Sequence, residues 1–129
     1  MIHIKLTAQG EPDVVPLTRE YRISNKQDEE IFFNMVTSIK EKLEKNLRIN
    51  INECITLYCA FVLSEIQNDK PIDQIPKNVS SMLDPQKVMI GVPDMLRQMS
   101  FEVTFDDSTQ RKITVNEPIQ ILDYILKPN

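Results

Sequence analysis

Apolar residues recur at helical spacing from Ile31 through Phe32, Met35, Val36 and Ile39 to Leu43, which predicts one amphipathic helix with a single buried face. Ser24 and Gln27 stand at capping-box spacing at its start, so the helix is expected to begin there. Asp28, Glu29 and Glu30 complement the positive end of its dipole, Lys40, Lys42 and Lys45 crowd the negative end, and Asn46 is a natural stop. The second stretch differs. Ile55, Leu57, Tyr58, Cys59, Phe61, Val62, Leu63 and Ile66 leave almost no polar side between a capping Asn52 and a closing Asn68-Asp69-Lys70-Pro71. A helix apolar all round is surrounded by protein. Either the rest of this chain covers it, or part of its girdle meets another chain.

Ile72, Ile75, Val79 and Met82 mark a weaker third helix. Pro76 in its interior would cost about 3 kcal/mol, so a late start or a break is predicted. A fourth, short helix is signalled by Asp84 as cap, Pro85 at the first position and Gly91 as terminator. Pro93 then forbids its resumption, which makes Gly91, Val92 and Pro93 a structural elbow. Beyond it the period changes to two. Phe101, Val103 and Phe105 alternate with polar neighbours, as do Ile113 and Val115, and Asp106-Asp107-Ser108-Thr109 lies between them. An isolated hairpin is marginal in water, so it must lie on the helices or join a larger sheet. Ile2, Ile4 and Leu6 alternate as well, before Gly10-Glu11-Pro12 and Pro16; an edge strand followed by an irregular arm is expected over residues 1–23. The predicted fold is α+β: a small bundle of three to four helices followed by a C-terminal antiparallel hairpin. The last run, from Ile119 to Leu126, is strongly apolar and is expected either to return to the core or to act as a docking segment.

The chain has 129 residues, 41% hydrophobic and 26% charged, which fits one domain with a modest core. A net charge of −4 with 6% aromatic residues lacks the footprint of a nucleic-acid binder. No apolar run reaches the ~20 residues of a membrane span, and Met1-Ile2-His3-Ile4-Lys5 does not read as a signal peptide. The cytoplasm is the expected compartment.

Little chemistry is on offer. Cys54 and Cys59 are five apart on one helix, a spacing that rotates them to different faces and rules out a disulfide between them; two buried thiols are expected. His3 is the one histidine, and a metal centre or a cysteine nucleophile needs convergent partners it does not have. Gly10 and Gly91 are too far apart for a nucleotide-binding fingerprint. Glu29/Glu30 and Asp106/Asp107 read as a helix dipole complement and a turn, and Met82, Met89, Met95 and Met99 as filler of core or interface. No catalytic, cofactor-binding or metal-ligating residue is expected on this chain.

The order of motifs carries more. Val88-Met89-Ile90-Gly91-Val92-Pro93-Asp94-Met95 precedes Glu102-Val103-Thr104-Phe105 and then Thr114-Val115 with Pro118-Ile119. Upstream stand Leu47-Arg48-Ile49-Asn50 with Glu53, Ala60-Phe61, Asp69, Lys70 and Leu83. In this collinear order the chain resembles the urease gamma subunit family over roughly residues 24–119. Departures are Ile23-Ser24-Asn25-Lys26-Gln27 at the opening, Ser108 in place of the turn glycine, Val79 near another family glycine, and Asn116 where many members carry histidine.

The resemblance divides the chain into an N-terminal extension (1–23), a gamma-like domain (24–119) and a C-terminal tail (120–129). It implies a structural, non-catalytic subunit of a nickel-dependent urease, which hydrolyses urea to ammonia and carbamate. The nickel ions, the carbamylated lysine that bridges them and the catalytic histidine would belong to the large alpha subunit. Alpha and beta subunits, or a fused equivalent, would be the partners, in a trimer of heterotrimers. The alternative is a free-standing gamma-like interaction module without urease activity. The presence of neighbouring genes for beta and alpha chains separates the two readings.

Overall fold

A computed structural model describes residues 1–12 and 15–119. Strands β1 (Ile2–Gln9) and β2 (Leu17–Ile23) come first, then helices α1 (Lys26–Glu44), α2 (Ile51–Gln67) and α3 (Ile75–Ser80). A 3-10 turn (Pro85–Lys87), the one-turn helix α4 (Val92–Met95) and strands β3 (Gln98–Thr104) and β4 (Gln110–Asn116) complete the order. The strands form one antiparallel sheet in the order β2-β1-β3-β4.

This corrects the expected helical bundle with a hairpin appended. Strands lie at both ends of the fold, and the hairpin of β3 and β4 is half of a four-stranded sheet. The stretch read as an edge strand with an irregular arm is itself a hairpin, and β1 is an interior strand paired on both sides. The reason is visible in its burial: Ile4 and Leu6 are completely inaccessible and Ala8 nearly so. Their partners in β3 are Val103, Phe101 and Met99, all equally buried. Burying an Ile or Leu contributes roughly 1.5–3 kcal/mol, which favours an interior place for β1 over a solvated edge. The other face of the sheet is polar, with Lys5 across from Glu20 and Glu102, the alternation of a sheet covered on one side.

The helices pack on the apolar face. α1 starts one residue later than predicted: Asn25 is the cap, accepting from the Asp28 N–H at 2.9 Å, while the Ser24 N–H donates to Asp28 Oδ2 at 2.9 Å. Its buried stripe is Phe32, Val36 and Ile39, with Leu43 half-buried; Ile31 and Met35 lie outside it, on the exposed side. α2 is capped by Asn50 rather than Asn52, in a reciprocal box with Glu53 at 2.9 and 3.0 Å. Asn52 instead accepts from Arg19 at 2.9 Å through its side chain. Burial opposes ionisation of Glu53, but the Asn50 N–H and the Lys42 ammonium at 2.6 Å outweigh it and hold its pKa below the ordinary value.

The girdle of α2 is closed largely by this chain's own residues. Cys54, Ile55, Tyr58, Cys59 and Val62 are all inaccessible, beneath the sheet and between α1 and α3. The N-terminal strands supply the cover that a three-helix bundle would lack. α3 begins late, as Pro76 required, with the proline at its second position. Asn78 on α3 donates to the buried Glu65 Oε1 of α2 at 2.6 Å, which gives that buried oxygen a partner.

At the β3–β4 turn Ser108 takes a left-handed φ of 65°. The Ser108 N–H donates to the Phe105 carbonyl at 2.9 Å and the Phe105 N–H to the Thr109 carbonyl at 2.9 Å. The apolar run beyond Ile119 lies outside the described residues; Ile119 itself is buried.

Candidate interaction surface

The segment between α3 and β3 is built around Gly91. Asp84 caps the 3-10 turn, accepting from the Gln86 N–H at 2.8 Å. The predicted helix does not run on to Gly91. It ends at Lys87 because Val88 turns extended and is drawn into a parallel bridge with Ile49. The Ile49 N–H donates to the Lys87 carbonyl at 3.0 Å and the Met89 N–H to the Ile49 carbonyl at 2.9 Å; Ile49 and Val88 are both fully buried. Gly91, at φ 93° and ψ −19°, then caps the start of α4 rather than the end of a helix. Pro93 sits in the first turn of α4, where a missing N–H costs nothing. Leu96 closes that turn and is buried.

Locking this segment inward turns its other side chains outward. Ile90 is 96% exposed, and Leu47, Met89 and Met95 are exposed as well. Met89, Ile90, Pro85 and Pro93 line a shallow groove of about 310 Å³ together with Arg48 and Asp94. An apolar cluster with a charged rim is the composition of a protein-docking surface.

One side of the elbow is pinned by Arg97. Its guanidinium meets Glu11 Oε1 at 2.8 Å, Asp94 Oδ1 at 2.8 Å and Glu117 Oε2 at 3.2 Å; the hydrogen bond to Glu11, ahead of the pull from Glu117, raises its pKa further. Backbone bonds run beside it: Glu11 N–H to the Asp94 carbonyl at 3.0 Å and Arg97 N–H to the Gln9 carbonyl at 2.9 Å. Gly10 lies so close beneath that a Cβ there would stand 2.7 Å from the Asp94 carbonyl oxygen. The end of β1, the elbow and the end of β4 are therefore one fastened corner.

The reactive groups are placed away from this surface. Cys54 and Cys59 are free and buried, and burial pushes both thiols up to about 12. The Tyr58 phenol is raised by the same cause. His3 lies on the polar face of the sheet, its Nε2 3.8 Å from Glu20 and without a hydrogen-bond partner. Asp107 is held in the turn by Thr109, whose side chain and N–H, the latter at 2.9 Å, lower its pKa. Met99 is core, Met82 packs against the core, and Met89 and Met95 are at the surface. Among the described residues no three His, Cys, Asp or Glu side chains are gathered as a metal site, and no helix is long and apolar enough to cross a membrane. The sequence reading named Gly91, Val92 and Pro93 but missed Arg97 and its three carboxylates, which no local motif announces because Glu11 and Glu117 come from opposite ends of the chain.

The family described as urease, gamma subunit, matches residues 21–119. The chain belongs to the urease gamma family. It is 30% identical over 100 residues to a protein named urease subunit gamma from Halalkalibacterium halodurans, an alignment that covers 77% of this chain and 99% of that relative. Family membership ties the chain to urease, a hydrolase of urea metabolism. The family match takes in the whole elbow and both C-terminal strands; it begins inside β2, so β1 lies outside it.

Proposed function

We propose that this chain is a structural, non-catalytic gamma subunit of a cytoplasmic, nickel-dependent urease. In this reading the nickel ions and the catalytic groups reside on an alpha subunit. The gamma chain braces that subunit and helps hold a trimer of alpha, beta and gamma units together. The single observation that carries the reading is a match spanning 99% of the length of a protein named urease subunit gamma. The exposed apolar elbow supports it: Gly91, Val92 and Pro93 set a bend beside which Met89 and Ile90 are exposed, and a cluster of exposed apolar side chains marks an interaction surface.

Co-expression with the neighbouring alpha and beta chains tests the proposal. One co-purifying complex that hydrolyses urea, with nickel on the alpha chain and no activity from this chain alone, is the expected result. A fully active alpha–beta complex that never retains this chain overturns it.

The free-standing module keeps one specific observation in its favour. β1, an interior strand of the sheet, lies outside the family match, so this fold is completed by a part that the family pattern does not contain. Recovery of the chain as a stable monomer from a host whose urease complex lacks it would favour the module.

A further inference from the structure

The sheet has an unusual division of ownership. β3 and β4 lie within the gamma-family match, whereas β1, which fills the remaining edge of β3, does not. Without β1, the β3 edge from Gln98 to Thr104 would present unpaired backbone groups, and such an edge is a template for strand addition. We propose that the N-terminal hairpin is a sealing element: β1 occupies a strand-addition edge of the gamma unit, and β2 closes the sheet with a strand unsuited to further pairing.

The two candidate edges differ in composition. β3 carries Glu102 as its one charge, with Met99, Phe101 and Val103 on the buried face. β2 carries Arg19, Glu20 and Arg22 and follows Pro16. Arg19 stands in register with Leu6 on the core-facing side, where its guanidinium is tied to Asn52 at 2.9 Å. Charges along an outer strand, an inward-facing charge above all, are a device that discourages edge-to-edge association. The hairpin replaces a sparsely charged edge by a densely charged one.

The occupant that the seal excludes is a second copy of this chain. Laid antiparallel on itself about Phe101, the β3 sequence sets Met99 against Val103 and Ser100 against Glu102. No like charges then face each other, and the apolar residues fall on one side. Such self-complementarity is what a two-fold interface requires.

Two measurements on the protein without any partner chain decide the matter, so their outcome does not depend on urease assembly. In the full chain, the Gln98–Thr104 amides that pair with β1 should exchange at least tenfold faster than the α2 core amides, through detachment of β1 without global unfolding. If both sets exchange at one common rate, β1 is an inseparable part of the global fold and the sealing role is wrong. In the second, a cleavage site placed between residues 11 and 16 is cut after folding and the N-terminal fragment is removed. The remainder should double its mass in light scattering and return to the monomer when a synthetic peptide of residues 1–12 is added. A remainder that stays monomeric, or one that unfolds and is not recovered by the peptide, overturns the proposal.

Discussion

Replacing Gly91 isolates a backbone effect from a packing effect. A Cβ built at this position meets nothing within 4 Å, so an added side chain displaces no neighbour. What remains is the conformation, φ 93° with ψ −19°, which L-residues adopt at a cost of roughly 1–2 kcal/mol. Removing a glycine also narrows the unfolded ensemble, which offsets about 0.4–1 kcal/mol of that cost. Gly91→Ala should therefore lose about 0–1.6 kcal/mol, or up to about 6 °C in Tm for a domain of this size. Gly91→Val adds the stiffness of a β-branched side chain and should lose about 2–3 kcal/mol. Urea titrations with an unchanged m-value measure both. A valine variant as stable as the parent protein would refute the reasoning, since the left-handed conformation would then not be maintained in solution.

Gly10→Ala should fail for the opposite reason: its Cβ would press on the Asp94 carbonyl oxygen and Met95 Cα, costing about 1–3 kcal/mol as an overpacked contact in urea unfolding. Cys54 and Cys59, with thiols pushed up to about 12, should resist a thiol reagent at pH 8 in the native state and react at once after denaturation; prompt native labelling would contradict their burial. Glu53 has a pKa lowered in the folded state, so it contributes stability above its ordinary value near 4.5 and loses that contribution as pH falls through and below it. Glu53→Gln should flatten this acid limb in pH-dependent unfolding, and an unaltered limb would remove Glu53 from the account. Leu6→Ala should cost about 2–5 kcal/mol in the same unfolding assay, as for a core leucine, whereas a true edge strand would lose far less.

Where chemistry is local, the sequence was readable. The long helices follow from their apolar periods, the β3–β4 hairpin from alternation around Asp106-Asp107-Ser108-Thr109, and the late start of α3 from Pro76. Caps were misplaced by one or two residues because Ser24 and Asn25, like Asn50 and Asn52, are competing cap residues. Gly91 was read as the stop of the preceding helix but caps the start of α4, since the tertiary bridge between Ile49 and Val88 ends the preceding turn early. β2 was missed because Arg19 interrupts the alternation of Leu17, Tyr21 and Ile23 on its core-facing side. The centrality of β1 had no local signal: its second partner, β3, begins at Gln98. The family was legible because the order of short motifs from Leu47 to Ile119 survives as a whole. The Arg97 corner was not legible, because its partners meet only when the sheet closes.

The pairing of Ile4 with Val103 also orders events during synthesis. β1 leaves the ribosome before the helices and β3, and one of its two edges has no partner until β3 follows, about a hundred residues later. At about 5–20 residues per second, that interval is on the order of 5–20 s, far longer than the ~1–10 μs in which a hairpin forms. For that time β1 has only β2 beside it, and a two-stranded hairpin is marginal in water. The nascent chain thus carries one edge of β1 unpaired until Gln98–Thr104 appear, and the sheet closes late, across the loop from Ile4 to Val103.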